Sequence, residues 1–191
     1  MTPPDIAPRI QPDSATRFVD TTAKLSLLMA VLAILWSLCQ WLVVVVLGQL
    51  DIVGWMQGEG LAVPAVFFWL SRHAGALSLL MLMLSIGLFA VSWGMLKHRE
   101  WGRTGFVAFL VLIAVANFAL IPLVDAVMLG LQTVIPAEVL QSEEGRDLRV
   151  QLLVSRWSML LLTVGSSLVM AALHGWLIIK LYRPQVRSLF R

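Results

Sequence analysis

Residues 25–50 read LSLLMAVLAILWSLCQWLVVVVLGQL, twenty-six positions without one charged side chain. At 1.5 Å per residue a helix of that length covers about 39 Å, enough to cross the roughly 30 Å hydrocarbon core of a bilayer with some tilt. Four consecutive valines, Val43 to Val46, favour strand in water. In lipid the backbone amides must be satisfied within the segment, so the run is a helix despite them.

Three further apolar runs follow, over about 66–96, 104–131 and 152–181. Of the 191 residues 59% are hydrophobic and 13% charged. A soluble domain carries roughly 25% charged residues to face water, so much of this chain's surface must face lipid. The expected fold is an all-α, four-helix transmembrane bundle. Outer loops at 51–65 and 132–151 and an inner loop at 97–103 join the spans within a membrane domain over 21–183.

The flanking segments read differently. Residues 1–20 hold Pro3, Pro4, Pro8 and Pro12 among polar residues and predict a disordered tail. They are polar, and the run after Lys24 is too long for a signal h-region, so no cleaved leader is expected. In the first outer loop, Asp51, Gly54, Gly58, Glu59 and Gly60 carry loop chemistry. Trp55, Phe67, Phe68 and Trp69 flank it as rings at headgroup level. Residues 132–149 are acidic on balance and form a small outer cap. There Pro136 is placed to open a short surface helix, and Gly145 marks a turn. Residues 184–191 read as a basic tail.

Basic residues orient the spans. Arg9, Arg17, Lys24, Lys97, Arg99, Arg103, Lys180, Arg183, Arg187 and Arg191 fall on one side, against Arg72, Arg146, Arg149 and Arg156 on the other. Ten against four predicts both termini on the cytoplasmic side. The same confinement to connections makes the net charge of +3 topological and excludes a nucleic-acid partner.

Small residues recur along two of the spans. Ser71, Ser78, Ser85 and Ser92 stand seven apart, almost two helical turns, and so share one face of the second span. The fourth span offers two rows, Ser158, Gly165 and Ala172, and Ser167, Ala171 and Gly175. Such rows let backbones approach and predict packing seams, within the monomer or between copies.

Ionisable groups inside a span are the best functional pointers a membrane sequence offers. Arg72 and His73 in the second span, Asp125 in the third and Arg156 in the fourth fall at a common outer depth. Consecutive spans are antiparallel, which brings Asp125 level with Arg156. A polar cluster of Arg72, His73, Asp125 and Arg156 is expected, against the alternative that the arginines simply snorkel to the interface. Deeper lie Gln40, Asn117 and His174. Gln40 and Asn117 are placed to hydrogen-bond across helices, and Cys39 is expected as a small buried residue.

Other chemistries find no pattern. One cysteine allows no intrachain disulfide and no thiolate cluster. His73, His98 and His174 differ in depth, so no pair of imidazoles can ligate haem. No His, Cys or acidic pair has helical ligand spacing within a span. Nucleophile-elbow, phosphate-loop and zinc-protease motifs are missing, and the stretch from Ser142 to Asp147 does not match a calcium loop. Neither a cofactor nor a metal is expected, and an enzyme is the least favoured class.

The stretch Leu96-Lys97-His98-Arg99-Glu100-Trp101-Gly102-Arg103, entering a helix through Thr104-Gly105-Phe106, resembles junctions in small multi-pass bacterial inner-membrane proteins. Basic charge with an interfacial Trp explains most of that likeness. It implies a bacterial-type plasma membrane and no activity. The expected function is a non-enzymatic accessory or partner-binding membrane component, its partner another membrane protein or a second copy. The alternative is a small oligomeric transporter or channel with a polar path along Asp125, Arg156, Asn117, Gln40 and His174.

Overall fold

The computed structural model describes residues 13–50, 52–60, 63–135, 139 and 142–190, and these are helical with no strand among them. The helices are α1 (Ser14–Gly48), α2 (Ile52–Gly58), α3 (Ala65–Leu96), α4 (Glu100–Val134), α5 (Glu143–Leu181) and α6 (Pro184–Arg187). Four of them are long and apolar enough to cross a membrane. At 32 to 39 residues each, they measure about 48 to 58 Å and exceed the hydrocarbon thickness. The apolar run marks only the part that lipid must cover, and the helix continues until something stops it.

Four boundaries are corrected on that ground. Residues 14–20, expected in the disordered tail, form the first turns of α1 and bury Ala15 and Val19; residues 1–12 lie outside the described residues. The first outer loop contains α2. Helix α5 starts at Glu143, inside the expected loop, because Ser142 caps it: the Ser142 hydroxyl accepts from the Gly145 amide at 3.0 Å. Gly145 is therefore buried in a first helical turn and is not a surface turn. The surface helix expected from Pro136 falls on residues outside the described ones, apart from helical Val139. Last, 184–190 is no free tail, since α6 buries Val186 and Phe190 follows it into the interior.

The junction between α3 and α4 has a defined stop. His98 adopts φ 54°, its amide donates to the Met95 carbonyl at 3.0 Å, and the Arg99 amide donates to the Gly94 carbonyl at 3.0 Å. These are the two bonds of a Schellman cap, with histidine in the left-handed position that usually takes glycine. Helix α4 then returns close against α3. Any side chain on Gly102 would collide with the Gly94 and Met95 backbone, and Gly94 itself lies under the Trp101 indole.

The long helices pack in series, α1 on α3, α3 on α4 and α4 on α5, while α6 touches both α1 and α5. The α1–α3 seam is built from small residues. Ser78, Ser85 and Ser92 are buried on α3 and Ala23, Ala30 and Ser37 on α1, both sets at a period of seven. The Ser37 and Ser85 hydroxyls meet at 3.3 Å. Stepping seven residues each way along antiparallel helices from that contact sets Ala30 against Ser92. Ser71, the fourth serine of the row, is exposed and returns its hydroxyl to the Phe68 carbonyl at 2.9 Å.

Larger side chains gather at one end, where Val19, Met95, Phe106, Leu110, Leu181, Val186 and Phe190 form one cluster. The rings of Phe18 and Trp176, 6.1 Å apart, join α1 to α5 there. Elsewhere large apolar side chains point outward, Trp36 at 73% exposure and Leu161 at 71%. Lipid tails are as apolar as these groups, so their exposure carries no penalty in a bilayer.

Candidate functional site

The polar residues of the spans are few, and geometry sorts them. Asp125 on α4 and Arg156 on α5 are brought together: the guanidinium Nε donates to the carboxylate Oδ1 at 2.6 Å. Both side chains are part-buried, at 23% exposure for Arg156 and 32% for Asp125. Pairing cancels two charges that a partly apolar layer would otherwise have to hold singly. Pro122 precedes Asp125 by one turn inside α4, and proline lacks the amide that would bond the Phe118 carbonyl. An open groove of about 430 Å³ runs past Pro122, Asp125, Trp157 and Leu161. The Arg156 guanidinium lies 6.0 Å from the Trp157 ring.

Arg72 and His73 do not join this pair through any described hydrogen bond or ion pair. His73 is half-buried and acts locally: its Nδ1 donates to the Trp69 carbonyl at 2.8 Å, and its ring stacks on Trp69 at 4.7 Å. Arg72 lines a separate open recess of about 690 Å³ with Val44, Gly48, Val53 and Gly75. The expected four-residue cluster is thus a pair and two separate residues. Position along the helix sets depth, but rotation about its axis decides which neighbour each side chain meets.

The deeper residues divide in the same way. Along α5 a row of less exposed positions runs through Leu148, Leu152, Arg156, Leu160, Thr163, Ser167, Ala171, His174, Ile178 and Leu181, at steps of three or four residues. This stripe faces α4, and the Ser167 hydroxyl donates to the Asn117 carbonyl oxygen at 3.4 Å. His174 is buried on it at 7% exposure, and its Nδ1 has no partner among the described residues. Of the two small rows on α5, Ser167, Ala171 and Gly175 lie on or beside the stripe. Ser158, Gly165 and Ala172 lie outside it and are exposed, with open space where a Gly165 side chain would go.

Two expectations on α1 are overturned. Cys39 is exposed rather than buried, and Gln40 is exposed with no described hydrogen bond to Asn117. Both stand off the face that Ala23, Ala30 and Ser37 turn to α3, because successive helical residues rotate by about 100°. Gln40 is therefore not in line with Asn117, His174 and the ion pair.

Sequence reading missed the buried role of Arg103, counted only as an inner-side charge. Its side chain is 6% exposed and ion-paired to Glu100, Nη1 donates to the Leu181 carbonyl at 3.4 Å, and its guanidinium lies over Tyr182 and Phe190. One charged group thereby ties the start of α4 to the end of α5 and the segment beyond it. The available signal was Glu100 three residues earlier, a spacing that places both on one helical face. His98 adds a second tie, with Nε2 3.5 Å from Asp20 Oδ1 and its ring 5.9 Å from Phe190.

Among the described residues no group of three His, Cys, Asp or Glu is placed to hold a metal ion. No protein-family model, curated protein or solved structure matches the chain.

Proposed function

We propose that this chain is a non-enzymatic accessory or partner-binding component of a bacterial-type inner membrane. In this reading it spans the bilayer as a four-helix bundle with both termini cytoplasmic. The observation that carries it is the state of α5. One stripe of that helix meets α4, while the Ser158, Gly165 and Ala172 row stands exposed with open space at Gly165. Small rows of this kind let a second transmembrane backbone approach closely, and close packing is what drives helix association in lipid. The charge count of ten basic residues against four supports the orientation.

The transport alternative draws on Asp125, Arg156 and His174, which share the α4-facing stripe or its contact. A polar path needs its members on one interior face, and Gln40 lies on another. The accessory reading therefore takes precedence.

The test is purification of the tagged protein in mild detergent from its native membrane, with mass spectrometry and native mass on the eluate. A stoichiometric, different membrane protein is expected, lost in Gly165→Leu while the variant remains folded. Purification without such a partner, or a partner that Gly165→Leu retains, refutes the assignment.

A further inference from the structure

We infer that the face of α1 carrying Gln40 is a self-association surface, on which two copies of this chain pair through their Gln40 amides. Gln40 carries the one carboxamide between Lys24 and Gly48. Its side chain is exposed on the fold and has no described hydrogen bond. It stands eight residues before Gly48 and sixteen after Lys24, about 12 and 24 Å along the helix axis. Side chains lean towards the N-terminus of their own helix. The Gln40 amide therefore leans away from the nearer membrane surface and into the hydrocarbon, where it cannot snorkel out.

An unpaired amide in hydrocarbon forfeits hydrogen bonds that water would supply, so it selects any arrangement that restores them. A carboxamide is both donor and acceptor. Two copies related by a twofold axis present the same group to each other, and each amide both gives and receives a bond. That self-complementarity singles out a second copy as the occupant. The flanking positions fit such a contact: Trp36, Val43 and Leu47 share the face of Gln40 at spacings of four, three and four, and all are exposed. Polar residues at one step of an apolar stripe fix register and partner number in packed helices. This surface is distinct from the α5 row and stands or falls independently of the accessory reading.

The experiment uses the full chain in phosphatidylcholine vesicles, with Cys39→Ser removing the single native cysteine. Single cysteines are then placed by Trp36→Cys and Val43→Cys on the Gln40 face, and by Leu38→Cys and Leu42→Cys on the opposite, equally exposed face. Oxidative cross-linking is expected to give homodimers from positions 36 and 43 and none from 38 and 42, because a disulfide needs Cα atoms within about 7 Å. Adding Gln40→Leu, harmless to the fold at an exposed site, is expected to weaken dimerisation roughly five- to thirtyfold on lipid dilution, the range for an interhelical hydrogen bond in lipid. Monomers at every position, cross-links from all four positions alike, or a dimer indifferent to Gln40→Leu would each overturn the inference. So would loss of the homodimer when native-membrane lipids and proteins are restored.

Discussion

Replacing Gly102 by alanine tests the close approach of α3 and α4 at their junction. The added methyl would lie inside contact distance of the Gly94 and Met95 backbone. Ordinary contact begins near 3.4 Å, so the two helices must separate by about 1 Å to admit it, since backbone cannot rotate aside as a side chain can. Overpacking of this kind costs about 3 kcal/mol at the upper end of the usual range. Alanine recovers about 1 kcal/mol over glycine within a helix. The net expectation is a loss of about 2 kcal/mol, or roughly thirtyfold in the folded-to-unfolded ratio. Gly165→Ala is the matched control: it sits in a helix with open space around it, so only the gain of about 1 kcal/mol remains. Unfolding by dodecyl sulfate in mixed micelles, followed by the fluorescence of the eight tryptophans, reads both. If the two variants unfold within about 0.5 kcal/mol of each other, a spread expected of ordinary surface changes, the close approach at Gly102 is refuted.

Phe190→Ala removes a side chain 8% exposed in the end cluster and is expected to cost about 3 kcal/mol in the same titration; an unchanged midpoint would show that residues 184–190 do not dock. On α3, Ser92 is fully buried with an unpaired hydroxyl, whereas Ser85 contacts Ser37. Ser92→Ala is therefore expected to be neutral or stabilising, since deleting an unsatisfied buried group removes its desolvation cost. Ser85→Ala should lose about 0.6 kcal/mol, the mean for such bonds in membranes, and the opposite order would refute the seam. Asp125→Asn and Arg156→Gln should each lower thermal stability in detergent, and the double variant should fall short of their sum. Strict additivity would mean that the 2.6 Å contact carries no coupling.

How much of this was legible before the fold was known depends on the kind of question. The four spans follow from composition, because lipid forces any long uncharged run to close its backbone hydrogen bonds as helix. The serine row of α3 was legible too, since a period of seven survives whatever the helix packs against. Its partner row, Ala23, Ala30 and Ser37, has the same period but hides among abundant membrane alanines. The ends of the helices were less legible. The Ser142 cap and the His98 stop are local, made with Gly145 and with Met95 and Gly94, but histidine lacks the glycine signal that usually marks such a stop. The docking of Phe190 depends on contacts with segments far apart in sequence.

What the chain's sequence determined by itself is depth: where each helix crosses, and the level at which Asp125, Arg156, Gln40 and His174 lie along it. Only the tertiary structure decided direction: that Asp125 turns to Arg156, that Arg72 and His73 turn elsewhere, that Arg103 is buried, and that Gln40 faces out. The reason lies in the solvent. In water a helix announces its inner face by being apolar there and polar opposite, whereas in a bilayer both faces are apolar and the pattern carries no sign of which is which.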